Sequence, residues 1–469
     1  MINIGKKDAI YSYINYFLTA VSNVIVLPFV LNKVSSEEYA LWSVFLSIQA
    51  LVMLIDTGFS TLVARYTTYA YCGAENIPLS GTPNINKQNT SNYTLVFRVF
   101  FVARNIYRKL AWVAFGILIL GSLYIAYLSR DLENRYMILF AWVLFSIGVA
   151  IKIYFTYYSS FLKGVGHIQE VNIISISNTI VYVFVKVILV LCGWGILGIA
   201  IGNVVSVIIT RILVIKYVRD VIKEDHNTYK LEKSNRKKYD NYSIEKAFIH
   251  NSKQLGAVVI ANYVQGQGTT LICSALMPLQ YTASYGLTIQ LINVVVSLAN
   301  IPFSTFKPKM NELRISPHKE TFKNMYAFIT LSMWAIFLLG SVGIVWILPG
   351  ALAIIHSQTA LLPVGFTILI CLYQFIYVNH QRATDIIALG NEQPYARAYA
   401  ISSIVMLGTE LIAFKLGFGL AGFLCANLFT QLAYNGWKWP REVFKLVGVS
   451  APEVFTRGTR EIRRLVKRG

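Results

Sequence analysis

Charge is what this 469-residue chain has least of. Only 14% of it is Asp, Glu, Lys or Arg, against 55% apolar residues and a mean hydropathy of +0.54. A soluble protein of this length needs charged side chains to cover its exterior, so that class is excluded. Cysteine is sparse too: Cys72, Cys192, Cys273, Cys371 and Cys425 lie scattered, mostly inside apolar runs, which points to neither disulfides nor a metal site. Several catalytic signatures are missing. There is no Asp-x-Asp metal site, no Gly-rich loop ending in Lys-Ser/Thr and no His-Glu-x-x-His helix, so neither an enzyme nor a cofactor is implied. A cleavable leader is not evident either. Lys6 and Lys7 precede an apolar stretch that continues through Asn15, Thr19, Asn23 and Pro28 without a small-residue cleavage site, and it reads as a first span.

What the chain does have is apolar runs of about 20 residues, the length that crosses a hydrocarbon core. They predict an all-α integral membrane protein with helices near 10–32, 39–63, 110–129, 136–160, 170–193, 195–217, 251–277, 281–306, 325–348, 359–380, 396–417 and 419–437. A β-barrel would show ten-residue alternating segments instead. The net charge of +20 is placed by side. Most of the 42 Lys and Arg fall in the N-terminus, residues 64–109, the 218–250 and 307–323 loops and the tail, whereas the opposite loops carry only Lys33, Arg130 and Arg135. Positive charge marks the cytoplasmic side, so both termini are expected there. The basicity reads as topology and contact with anionic lipids, not nucleic-acid binding.

A repeat divides the spans. Cys192-Gly-Trp-Gly-Ile-Leu-Gly-Ile-Ala-Ile-Gly-Asn203 lies without a gap over Leu416-Gly-Phe-Gly-Leu-Ala-Gly-Phe-Leu-Cys-Ala-Asn427, and the same offset sets Gly166 on Gly390 and Gln169 on Gln393. A weaker echo joins Asn15-Tyr16 and Tyr39-Ala-Leu to Asn262-Tyr263 and Tyr285-Gly-Leu. The chain thus divides into an N-terminal six-helix bundle (1–217), a basic cytoplasmic connector (218–250), a C-terminal six-helix bundle (251–438) and a basic amphipathic tail (439–469). Six spans per half give both halves one orientation, related by a pseudo-two-fold axis along the membrane normal. In transporters of that design a central cavity between the halves opens by rocking. The plain alternative is that duplication only built a larger bundle.

The early Asn-Tyr span with Leu27-Pro28, then Ser35-Ser-Glu-Glu-Tyr39 and Leu54-Ile-Asp-Thr-Gly58-Phe-Ser60, resembles the opening of bacterial polysaccharide exporters. So do the turns Lys163-Gly-Val-Gly166 and Leu389-Gly-Asn-Glu-Gln393. The chain looks like a Wzx-type O-antigen or capsular-repeat flippase of the multidrug/oligosaccharidyl-lipid/polysaccharide exporter superfamily. The resemblance implies a V-shaped molecule in the bacterial inner membrane. It would flip polyprenyl-pyrophosphate-linked oligosaccharide to the outer leaflet, alongside polymerase and chain-length proteins of the same pathway. The polar 72–94 loop departs from the pattern. Its Asn89-Thr-Ser91 and Asn92-Tyr-Thr94 match a glycosylation sequon on the side that charge marks as cytoplasmic.

A lipid-linked sugar needs polar side chains lining a groove. Gln290, Asn293, Ser297 and Asn300 share one face of span eight; Asn15, Thr19, Ser22 and Asn23 recur at helical spacing on span one; Asn262, Gln265 and Thr269 follow on span seven. The competing role is glue between helices. Lys152 and Lys186 lie within spans, where a cation is costly and marks function by default, here attraction of a pyrophosphate. Snorkelling or pairing is the structural alternative. The repeat sets Glu410 on Lys186, as an ion-pair partner or an exposed coupling carboxylate. Asp56 either caps a helix end or joins Arg65 at a gate, and Arg382 with Asp385 reads as an intrahelical pair. His167, His356 and His380 read as interfacial, and the tail from Ser450 as a membrane-surface helix. Without a nucleotide-binding loop, energy is expected from an H⁺ or Na⁺ gradient, coupled through Glu410 or Asp56, or from downhill removal of the substrate. Two alternatives stay open: a small-molecule or drug cation antiporter of the same superfamily, and a membrane polysaccharide polymerase. The second is weakened because every outward loop is short and poor in arginine.

Overall fold

The computed structural model describes residues 6–56, 58–79, 83, 91–235, 242–266, 268–315, 319–389 and 394–466. Hydrophobic runs of this length leave backbone groups no partner but their own helix, and the chain is helical almost throughout. It forms two compact units, Met1–Tyr263 and Val264–Gly469.

The first unit holds α1 (Lys6–Lys33), α2 (Ser36–Met53), a 3₁₀ turn (Leu54–Asp56), α3 (Phe59–Tyr71), α4 (Tyr93–Leu128), α5 (Arg135–Gly164), α6 (Ile168–Leu191), α7 (Gly195–Glu224), α8 (His226–Asn235) and all but the end of α9 (Tyr242–Gln265). The second holds α10 (Gly268–Leu276), α11 (Leu279–Ile315), α12 (Lys319–Val342), a π turn (Gly343–Ile347), α13 (Leu348–Ile354), α14 (Val364–Ala388), α15 (Ala396–Lys415), α16 (Gly419–Thr430), a π turn (Gln431–Asn435), α17 (Gly436–Val447) and α18 (Ala451–Val466). Every predicted span coincides with a helix or a pair of them. Among the described residues eight helical segments are long and apolar enough to cross a bilayer. The rest, α1, α9 with α10, α14, and α16 with α17, are richer in polar side chains.

Some boundaries move, for physical reasons. The helix expected from about residue 110 begins at Tyr93, because Arg98, Arg104 and Arg108 dilute the hydropathy while Phe97, Phe100, Phe101 and Tyr107 keep a buried stripe. Asn92 starts it, accepting the Leu95 N–H at 3.1 Å and donating to the Ala74 carbonyl at 2.9 Å. That gives the second sequon asparagine a structural job; Asn89 lies outside the described residues. The connector is largely helical as well, with α8 packing Tyr229 on Phe97 and Phe101 of α4. In the aromatic core of the first unit Trp142 is wholly buried, donates to the Ser122 hydroxyl at 2.8 Å and lies edge-on to Phe45.

The tail differs from the expected membrane-surface helix. A Ser450–Glu453 capping box starts α18. The Ser450 backbone N–H, with its hydroxyl, holds the exposed Glu453 carboxyl below the usual carboxylate range. The apolar face is covered by α12: Val454 is buried, Gly458 sits against Leu331 and the Ala327 carbonyl, and Arg457 pairs with Glu320 at 2.8 Å.

Candidate functional site

The repeated segment turns the chain the same way twice. After α6, the N–H groups of Cys192, Gly193 and Trp194 reach back to the carbonyls of Ile188, Val190 and Leu189; after α15, those of Leu416, Gly417 and Phe418 reach Ile412, Phe414 and Ala413. This is a left-handed helix stop, and its φ angles match: +85° and +48° at Gly193 and Gly195, +79° and +52° at Gly417 and Gly419. Residues with a Cβ adopt such angles only at a cost, which is why these glycines survive in both copies. One helical turn on, Gly198 and Gly422 admit the helix they leave: a Cβ would strike Leu189 in one copy and Ala413 and Phe418 in the other.

This turn sets one charged side chain per unit against its partner helix. In the first unit Lys186 of α6 is 8% exposed, and its ammonium lies 5.2 Å from the Tyr182 ring centroid and 5.8 Å from that of Trp42. The backbone of Gly202 on α7 closes on its main chain. Cation–π contact, not a carboxylate, is its observed company. In the second unit Glu410 of α15 is 0% exposed, so it is buried and not the exposed carboxylate the sequence allowed. Asn427 of α16, the counterpart of Asn203, faces it, and Cys273, Tyr285 and Tyr373 lie near it. Neither Glu410 oxygen has a hydrogen bond of good geometry, and no Lys or Arg pairs with it among the described residues.

Near Glu410 runs a buried polar chain of which the sequence reading held only Gln265. Gln265, 0% exposed, donates to the Ser403 hydroxyl at 2.9 Å and accepts from the Gln431 amide at 2.8 Å, while the Tyr373 hydroxyl donates to the Gln265 carbonyl. Asn435 donates to Ser402 at 2.9 Å and accepts from Trp439 at 2.9 Å. Gln431 and Asn435 bound the π turn, a geometry frequent at functional sites. Gln265 is therefore enclosed in a core network, not part of an open cavity lining. His380 is also buried, edge-on to Tyr377 and Tyr399, and not interfacial. Isolated polar letters in apolar helices were the available signal.

The other predicted residues fall into groups. On α1 the Asn15 amide donates to Asn172 of α6 at 3.0 Å, and Asn172 donates to Ser12 at 2.8 Å, so this stripe binds helices together. Thr19 is exposed, at 3.4 Å from Asn15, and the side chain of Asn23 lies outside the described residues. On α11 Gln290 and Asn293 are half-buried; the exposed Ser297 bonds back to the Asn293 carbonyl at 2.7 Å. Asn300 accepts from Arg382, which also pairs with Asp385 at 3.0 Å and lies over Phe303, so that pair reaches beyond its own helix. Asn262 is half-buried with Thr269 buried nearby in sequence, and Lys152 is exposed on α5. Asp56 accepts the Ser60 N–H at 3.0 Å and the Tyr107 hydroxyl at 2.6 Å, capping α3, while Arg65 is exposed and forms no salt bridge among the described residues. Gly390 and Gln393 of the repeat lie outside the described residues.

One tie escaped the sequence entirely. Glu38, in the Ser-Ser-Glu-Glu-Tyr motif, is buried; it accepts from Asn134 at 2.6 Å and from the Ile196 N–H at 3.2 Å, fastening α2 to the starts of α5 and α7. A carboxylate at a helix N-terminus is favourably placed.

No family model and no curated protein matches this chain. Solved structures do. An inward-facing multidrug resistance MATE family transporter of the MOP superfamily aligns with a TM-score of 0.61 at 13% identity, over 92% of this chain and 95% of its own. The MATE multidrug transporter DinF-BH aligns at 0.59 and 14% identity, over 95% and 96%. A MATE protein in a bent conformation aligns at 0.55 and 13%, over 93% of each. At such identity the likeness shows the fold: the twelve-helix, two-lobe membrane architecture of MATE proteins. Two of these neighbours carry multidrug names, and none carries the polysaccharide-exporter name that the motifs resemble.

Proposed function

We propose that this chain, built on the fold of MATE transporters, is a secondary antiporter that exports an amphiphilic organic solute in exchange for H⁺ or Na⁺ across the bacterial cytoplasmic membrane, with both termini inside. The observation that carries this is Glu410, a buried carboxylate that pairs with no Lys or Arg among the described residues. An unpaired intramembrane carboxylate is expensive and marks an ion pathway. The neighbouring Gln265–Gln431–Ser403 chain supplies uncharged donors and acceptors that can follow a change in its charge. Like the fold, this arrangement asks for no nucleotide.

A second reading, flipping of a polyprenyl-pyrophosphate-linked oligosaccharide, is supported by the exporter-like motifs and by Lys152 and Lys186, which favour an anionic head group over a cationic drug. The test is reconstitution of the full chain in proteoliposomes under an imposed pH or Na⁺ gradient. Uphill movement of a fluorescent organic solute supports the antiporter. Transfer of the lipid-linked glycan between leaflets, reported by an impermeant lectin and lost in Lys186→Ala, moves the assignment to the flippase. Movement of neither overturns both.

A further inference from the structure

Several buried or half-buried arginines have a carboxylate or amide as acceptor: Arg382 has Asp385 and Asn300, Arg457 has Glu320, and Arg98 faces Glu232. Half-buried Arg104 and Arg211 instead share one aromatic cluster, where Tyr154 is the acceptor of Arg104. Arg104 of α4 lies against the tyrosine run Tyr154, Tyr157 and Tyr158 of α5. Arg211 of α7 stacks its guanidinium carbon 3.1 Å from the Phe155 ring centroid and 4.5 Å from that of Tyr158. Neither forms a salt bridge among the described residues. Two donors in this cluster are buried without a hydrogen bond of good geometry, Nη1 of Arg211 and the Tyr157 hydroxyl, which has Tyr158 beside it. A buried donor left unmet is costly, so such a site favours an added acceptor. Lys152 adds a third cation three residues before Phe155, on the same face of α5. The carboxylates nearest in the chain are occupied: Glu224 by the Tyr93 hydroxyl and Asp220 by Lys223.

We infer that Arg104 and Arg211, held on the Tyr154–Tyr158 aromatic platform, form a binding site for a phosphate group, either the head group of an anionic membrane lipid or a soluble phosphate or pyrophosphate. Aromatic stacking fixes the planar guanidinium in place, so its fork is presented with little entropy to lose, and a phosphate offers it two acceptors at once. The phosphate oxygens would also take up the Arg211 N–H and the Tyr157 O–H. The cluster lies toward the ends of α4, α5 and α7 that carry most of the basic residues, where anionic head groups gather. It belongs to the first unit, whereas Glu410 belongs to the second, and it does not depend on what is transported.

The test is thermal unfolding of the purified full chain in a neutral detergent at fixed ionic strength. It would be titrated with short-chain phosphatidylglycerol, with inorganic pyrophosphate, and with the matching diacylglycerol, which lacks phosphate. We expect a saturable rise of about 3 °C or more with phosphatidylglycerol and none with diacylglycerol. The rise should vanish in Arg211→Gln, fall by half or more in Arg104→Gln, and persist in part in Arg211→Lys, which keeps charge but not the fork. An equal response to pyrophosphate identifies a soluble anion as ligand; a response to the lipid alone identifies a head group. No shift with either phosphate, or a full shift in Arg104→Gln and Arg211→Gln, overturns the site. If Arg211→Gln cannot be purified, Arg104→Gln and Phe155→Leu give the same decision.

Discussion

The two units use one backbone device and load it with opposite charge. The turn after α6 and the turn after α15 share their hydrogen bonds and their four left-handed glycines, yet one presents Lys186 and the other Glu410. Backbone geometry was kept because it stops a helix and lets the next pack at close range. The side chains it positions were free to diverge. The surroundings diverged too: aromatic rings around the lysine, a chain of amides and hydroxyls beside the carboxylate. A duplicated scaffold with unequal cargo is what one expects when a single unit carries the coupling ion.

The largest test of that asymmetry is Glu410→Gln, expected to cut gradient-driven transport in proteoliposomes by at least about tenfold, whereas Lys186→Gln retains dependence on the gradient. Equal loss of coupling in both would dissolve the asymmetry. Next comes the turn. Gly419→Ala meets no neighbour and should cost only backbone strain, about 1–2 kcal/mol. Gly195→Ala should cost clearly more, because its Cβ would lie 2.5 Å from the Glu38 carboxylate that fastens α7. Thermal unfolding of the two variants side by side checks the order. Third, Gln265→Leu strands the Gln431 amide, while the Ser403 hydroxyl keeps its bond to the Tyr399 carbonyl, and should cost about 1–3 kcal/mol. Asn15→Leu on the partly exposed stripe of the first unit should cost less. The smallest effect is at the tail. The depressed Glu453 carboxyl stabilises α18 above its ordinary titration range, and that contribution is lost as pH falls through the lower value in the folded state. Amide protection factors in α18, corrected for the intrinsic exchange rate, should therefore fall on acidification, and that fall should be smaller in Glu453→Gln.

Much of this architecture was legible, and the reason is the solvent. A bilayer leaves a 20-residue apolar run only one conformation, so spans, and the glycine-rich repeat that stops two of them, could be read directly. The charged pair was legible for the same reason, since a lysine or glutamate inside such a run stands out. What could not be read was the direction each polar side chain faces. Asn15 and Gln265 have the same spacing logic as Gln290, yet they point into helix–helix contacts. Glu38 looked like part of a loop motif because the helices it joins, α2, α5 and α7, meet only in three dimensions. Arg211 hid because its aromatic partners, Phe155 and Tyr158, sit on another helix.

The π turn at Gln431–Asn435 has a consequence for ancestry. A π turn takes in one more residue per hydrogen-bonded ring than an α turn does. The helix downstream therefore has its phase advanced by one residue, while α7 runs through the matching stretch without interruption. The two halves should thus stay in step up to Asn427 and fall one letter out of step beyond Asn435. A comparison that inserts a single gap there would restore the kinship of α17 with the end of α7. Read that way, the bulge would amount to one inserted residue that leaves the faces of the earlier turns where they are, with Gln431 and Asn435 buried in the core.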